Sequence, residues 1–184
     1  MKARFLASLF VVSAVAVQSQ AALMAYLSVK GAKQGTFTGG VMQKGREGKI
    51  GVIAVDHDVI SPRDPSSGLS TGRKISRPLK VTIELDRSAP LFYNALSTNE
   101  ILPEVTLDFW TPQMKAASGV GSEVQHYTIR LTNASISEVH FVMPNLRNPD
   151  LARMTETLEV SFTYQKIETI WKDGGISSID NWNN

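Results

Sequence analysis

Gly68-Leu69-Ser70-Thr71-Gly72 fits the G-x-S-x-G pattern that raises a serine nucleophile on a sharp turn for acyl transfer. That chemistry needs a strand before the serine and a helix after it. Here the stretch is preceded by Pro62 and Pro65 and leads through Pro78 into a strand, so it reads as a Ser/Gly loop rather than a nucleophile elbow. Asp56-His57-Asp58 offers metal or acid/base groups, but on a strand the two carboxylates face one side and the imidazole the other. His126 and His140 have no partner at ligand spacing, and the chain has no cysteine, which removes thiolate metal sites, disulfides and cysteine nucleophiles. Gly119-Val120-Gly121 lacks the third glycine and following helix of a dinucleotide fingerprint and is expected to be a turn. Asn133-Ala134-Ser135 is formally a glycosylation acceptor, but it falls inside a strand pattern and is read as structural. The remaining group is electrostatic. Arg63, Arg73, Lys74, Arg77 and Lys80 make a local positive cluster with no interleaved aromatic platform and no reading helix, which disfavours nucleic acid and favours docking onto an acidic protein face. Asp86, Glu100, Glu104 and Asp108 are the candidates for a complementary surface.

These residues sit on a chain whose patterning is mainly β. In residues 78–85, Leu79, Val81, Ile83 and Leu85 alternate with Lys80, Thr82 and Glu84, the pattern of a strand apolar on one face. A helix should follow, with Ser88 at its N-cap, Pro90 in its first turn, and Leu91/Ala95 and Phe92/Leu96 forming one apolar stripe against a sheet. Other strands are expected at 26–29, at 50–60 with Ile53, Val55 and Val59 on one face, at 105–111 closed by Pro112, and at 124–136 with Tyr127, Ile129 and Leu131 inward. Residues 31–48 are glycine-rich and basic, as in a mobile surface segment, and 116–122 is a small-residue turn. Residues 61–77 carry two prolines and two glycines with no apolar period, and loops of that length in compact domains are usually functional or disordered. In the last long strand Leu158, Val160, Phe162 and Tyr164 share a face, while Ile167 and Trp171 take the other parity, which calls for a bulge near Gln165 or a strand buried on both faces. Several strands and one helix argue for a barrel or sandwich.

The chain has 184 residues and a net charge of +2, enough for one domain with a real core and too mild a charge to imply nucleic acid. Lys2 and Arg4, an apolar run at 5–17 and Ser19-Gln20-Ala21 have the three-part form of a secretory signal peptide, with cleavage between Ala21 and Ala22. The other reading starts translation at Met24. The apolar run is short for a membrane span, so stable membrane insertion is not expected.

The wording SGLSTGRK, RPLKVTIELDRSAPLFYNAL and TNEILPEVTLDFW, followed by EVQHYTIRLTNASIS at 123–137, VSFTYQKIE at 160–168 and WKDGG at 171–175, resembles the haemolysin-coregulated protein (Hcp) family. Met24-Ala25-Tyr26-Leu27 also looks like that family's usual beginning. The resemblance implies a small closed β-barrel of two packed antiparallel sheets with one short helix on its side, over residues 23–175, with 176–184 a flexible polar tail. It implies a structural subunit rather than an enzyme, without a cofactor: a hexameric ring that stacks head-to-tail into the type VI secretion tube and is secreted with effector cargo. Its partners would be copies of itself, the sheath, the spike and effectors. The 61–77 loop matches the family's ring-to-ring loop, so Arg63, Ser70, Thr71, Arg73, Lys74 and Arg77 become the expected stacking residues, and Asp86, Glu100 and Glu104 the expected acidic counterpart. Assembly would be cytoplasmic if Met24 is the start. A functional signal peptide would send the chain to the periplasm, which supports an alternative: an exported barrel effector or binding module that no longer builds a tube.

Overall fold

The computed structural model describes residues 24–113 and 122–182. The strands are β1 (Met24–Gly31), β2 (Gly35–Thr36), β3 (Ile50–Asp56), β4 (Val59–Ile60), β5 (Ile75–Ser76) and β6 (Leu79–Glu84), then helix α1 (Ala89–Ser97). After it come β7 (Leu102–Gln113), β8 (Ser122–Val142), β9 (Thr157–Thr163), β10 (Lys166–Trp171) and β11 (Ile176–Asn181). Neighbours pair antiparallel in the order β11-β10-β8-β7-β1-β3-β6-β9, and β9 pairs back onto β8, which closes six strands into a barrel. The expected class, a small closed barrel of antiparallel sheets with one helix on its side, is the one observed.

Closure depends on β8. Its first half lies between β7 and β10, and its second half pairs with β9, so it changes sheets in mid-course. The turn is made at Asn133, whose φ of 49° is a left-handed conformation that asparagine tolerates better than most residues. Its Nδ2 donates to Gln165 Oε1 at 2.9 Å, and the Gln165 N–H donates to the Thr132 carbonyl at 3.2 Å. Gln165 separates β9 from β10, so the phase change in the sequence marks a second sheet crossing at the same corner. Leu158, Val160 and Phe162 are fully buried before it, and Ile167 after it.

β6 places Leu79, Val81 and Ile83 in the core as expected, but it ends at Glu84, and Leu85, expected on the same face, is exposed. Helix α1 buries Ala89, Phe92 and Ala95, with Leu91 and Leu96 half-buried beside them. Ser88 stands at the N-cap, but its hydroxyl is turned away from the helix and bonds the Asp86 carboxylate, as does its N–H. Phe92 is wedged edge-on against Phe37 at 5.3 Å and Phe162 at 6.4 Å between ring centroids.

Several expectations are corrected. In β3 the register shifts between Val52 and Ala54, so Ile50 and Val52 face inward, Ile53 is 52% exposed, and Val55 returns to the core. One extra residue reverses the alternation, which moves Ile53 off the face it was expected to share. Val59 is also exposed, because the strand breaks at His57-Asp58 and β4 belongs to a separate ribbon. The 31–48 segment is not a mobile surface loop: it contributes Phe37 to the core and holds Arg46 at 6% exposure. Gly39 is tight there, since a Cβ would meet the Lys49 carbonyl at 2.3 Å. Pro112 does not close β7, which runs on to Gln113 with Pro112 opposite Glu123. The C-terminal tail is strand β11 along β10, and Trp182 anchors its end against Tyr164. The turns expected at 116–122 and at Gly119-Val120-Gly121 lie outside the described residues up to Ser122, as does the Ala21/Ala22 cleavage site.

Candidate functional site: the arm and its base

Residues 61–77 form a narrow two-stranded arm. β4 and β5 pair Val59 with Ser76 and Ile60 with Ile75, and further out Arg63 bridges to Ser70 while the Thr71 N–H donates to the Pro62 carbonyl at 3.0 Å. The tip is an aspartate turn: the Asp64 carboxylate accepts the N–H groups of Ser66 and Ser67 at 3.0 and 2.7 Å and the Ser67 hydroxyl at 2.8 Å. Those donors, Ser67 foremost, hold the Asp64 carboxyl below its ordinary range. Gly68 completes the turn at φ 69°. Arg63 Nη1 donates to the Gly68 carbonyl at 3.2 Å, and Leu69 projects 69% exposed.

At the base, two limbs meet the barrel. On the incoming limb His57 Nε2 lies 2.8 Å from the Tyr164 hydroxyl, with the rings 5.9 Å apart. Burial is the main cause that lowers the His57 pKa and raises that of Tyr164. On the outgoing limb Lys74 Nζ forms an ion pair with Asp180 and donates to the Asn181 carbonyl at 2.7 Å. Arg77 pairs with Asp58 at 3.4 Å across the neck, and Lys80 with Glu159 at 3.2 Å. Among the described residues, Arg63 and Arg73 form no ion pair, and both are exposed.

The expected stacking residues therefore divide. Arg63, Thr71 and Arg73 face solvent on the arm, whereas Lys74 turns back onto its own chain and Arg77 is paired at the neck. The Ser70 hydroxyl donates to the Gly72 carbonyl at 3.1 Å inside the arm, and no strand-turn-helix surrounds it. Among the described residues no three His, Asp or Glu side chains gather at metal distances, and no helix is long and apolar enough to cross a membrane.

The acidic set is corrected more sharply. Glu100 is 2% exposed and faces inward: its Oε1 takes the Lys33 and Gln34 N–H groups at 2.5 and 2.9 Å, and its Oε2 takes Gln34 Nε2 at 2.8 Å. Burial pushes this carboxyl up, but the Gln34 and Lys33 donors outweigh it and hold the pKa below the ordinary range. Gly31 leaves room beside it: a Cβ there would lie 2.6 Å from Oε1, so the Glu100 carboxylate would have to shift. Asp86 caps the Gly40 N–H at 2.7 Å besides Ser88. Asp108 is buried against Lys49, Gln125 and Thr128. Of the four, Glu104 is exposed, 3.6 Å from Arg130.

Sequence reasoning missed a second built feature. The Arg46 guanidinium lies over Trp110, 3.8 Å from its ring centre, with Tyr26 at 5.0 Å, and pairs with Glu123. Burial lowers its pKa, and the Glu123 and Tyr26 partners reverse that. The available signal was a parity one: Tyr26 and Trp110 fall on the face opposite Leu27 and Leu107, so something had to cover them.

The family profile described as "Type VI secretion system effector, Hcp" matches residues 26–171. The chain belongs to the Hcp family. The major exported protein of Pseudomonas aeruginosa strain PAO1 is 34% identical over 167 residues, covering 86% of this chain and 94% of its own. Among solved structures, an Hcp protein superposes at TM-score 0.78 with 30% identity, covering 89% of this chain and 99% of that one. A mutant form of Hcp1 from the E. coli EAEC 042 pathovar gives 0.73 and 30%, covering 88% and 99%. The secreted protein Hcp3 from Pseudomonas aeruginosa gives 0.70 and 28%, covering 89% and 100%. Hcp proteins are structural, secreted components of the type VI system, and this barrel with its arm is an Hcp fold.

Proposed function

We propose that this chain is a ring-forming subunit of the type VI secretion tube: hexameric rings close laterally, stack head-to-tail through the arm, and leave the cell with effector cargo. The observation that carries the reading is the family match over 26–171, which takes in every strand of the barrel and the arm. Physical reasoning supports it. Ring closure and tube growth need one heterologous contact that closes and one that stays open along the axis. The arm is an ordered projection with two exposed arginines, Arg63 and Arg73, that form no ion pair among the described residues, suited to an open contact. Exposed ion pairs give only about 0–1 kcal/mol each, but sixfold repetition multiplies them around a ring. For residues 1–22 we propose an export signal, and sequencing the N-terminus of secreted material separates a start at Ala22 from one at Met24.

The test is assembly of the chain from Met24 onward. Native mass spectrometry at micromolar concentration should give a hexamer. Monomer alone at high concentration would reject the ring and leave the exported barrel module as the reading.

A further inference from the structure

The arm's own hydrogen bonds give it a shape but no direction. A ladder of two residue pairs is too short to be rigid by itself, so its pose depends on what joins it to the barrel. Among the described residues, two joints bridge from the arm's limbs to the barrel, and both end on residues 164–182. The incoming limb rests His57 on Tyr164, and the outgoing limb gives Lys74 to Asp180 and the Asn181 carbonyl. Trp182, the next residue, packs edge-on against the same Tyr164 at 5.0 Å and donates its N–H to the Gln165 carbonyl at 3.0 Å. One corner therefore meets both limbs: Tyr164 the incoming one, and the end of β11 the outgoing one. The grip is shielded, with the Lys74 side chain 20% exposed and that of Asp180 36%. An ammonium held by a carboxylate and a carbonyl is oriented as well as attracted. Among the described residues β11 has a partner on one side only, β10.

We propose that the end of β11 is a latch for the arm: Asp180 and the Asn181 carbonyl hold Lys74, fix the arm's direction, and so make the C-terminal strand a positioning element for stacking. The latch itself is independent of the tube, while its consequence for stacking rests on the function proposed above. It also assigns Lys74 to the subunit's own architecture and leaves Arg63 and Arg73 as the arm's outward cations.

The experiment uses the absence of cysteine to place two spin labels without background, at Ser66→Cys on the arm tip and Glu84→Cys on the barrel. Double electron-electron resonance on the chain from Met24 should give one narrow distance distribution. Asp180→Lys, which sets two ammonium groups together, should broaden it at least about twofold, as expected for an arm freed to move. Adding Lys74→Glu restores a pair of opposite charges but not a donor to the Asn181 carbonyl, so it should narrow the distribution part of the way back, an outcome that misfolding of the single variant would not produce. An unchanged distribution in Asp180→Lys overturns the latch, and so does a broad one that Lys74→Glu fails to narrow. The same series is then examined for tubes by electron microscopy. Shorter tubes in Asp180→Lys, recovered in the double variant, support the positioning role; equal tube lengths despite a broadened arm overturn it. Failure of the parent chain to form any tube overturns the function proposed above, while the distance measurement still decides the latch.

Discussion

Phe92→Ala tests whether α1 is a structural wall of the barrel. Phe92 is fully buried and meets Phe37 and Phe162 edge-to-face, at interplanar angles of 77° and 70°. Truncating a core phenylalanine costs about 3–5 kcal/mol, depending on how far the site can collapse. Collapse is limited here, because Phe162 is fixed in β9 and Phe37 is held by its N–H bond to the Val29 carbonyl at 2.9 Å. Edge-to-face pairs add about 0.5–1.5 kcal/mol beyond area, which places the loss in the upper half of that range, about 4–5 kcal/mol. Leu96 is only half-buried, so Leu96→Ala should cost about 1–2 kcal/mol. For a domain of this size 1 kcal/mol moves Tm by about 2–4 °C, giving a drop of about 8–20 °C for Phe92→Ala against about 2–8 °C for Leu96→Ala. The assay is thermal and urea unfolding of the chain from Met24, at one fixed concentration below ring formation, because assembly adds its own concentration-dependent term. Equal shifts in the two variants, or a loss under about 1 kcal/mol for Phe92→Ala, would refute the wedge.

Glu100→Gln should cost about 2–3 kcal/mol, since three N–H donors lose a charged acceptor and one amide N–H₂ now opposes them. The sign with pH follows from the depressed pKa: the carboxylate's stabilisation is present above the unfolded value and lost as pH falls through the folded one, so the gap between wild type and Glu100→Gln should close below about pH 4 in urea titrations. Arg46→Lys keeps the charge but loses the flat guanidinium over Trp110, and should cost about 1–2 kcal/mol in the same titrations; a neutral result would show that charge alone holds the 39–49 segment.

Much of the barrel was legible because alternation states it directly. β6 shows Leu79, Val81 and Ile83 at every second position, and the core takes all three. The parity change at Gln165 was legible too, although its cause, a strand passing to the other sheet, needs the partner strand β8 to be seen. Local reading failed where a distant contact decides. Nothing near Phe37 says that Phe92 will meet it, and a segment rich in glycine and lysine hides one core residue and one buried arginine. The acidic residues failed for the same reason: a carboxylate's exposure depends on donors far along the chain, and for Glu100 these are Lys33 and Gln34. The arm's span was visible in its prolines and glycines, but the fate of Lys74 was not, because its partner lies in a tail with no apolar period.

That tail acquires its structure from the length of β8. A 21-residue strand that changes sheets midway leaves its first half with β7 on one side and an empty edge on the other. The chain fills this edge by carrying β9 through the same corner as β10, and β10 then presents an edge of its own, which β11 takes. A barrel built this way cannot absorb its last strand, because the six closing strands are already paired. The free edge is thus a consequence of closure. It also has little of the usual protection: β11 contains no lysine or proline, and Ile176 and Ile179 are 69% and 58% exposed. An edge of that kind in an otherwise closed domain is a surface for pairing, and in this molecule its end is the group that holds the arm. Under the latch proposed above, a strand paired on the edge of β11 would act on Lys74 through Asp180, with one strand end between them.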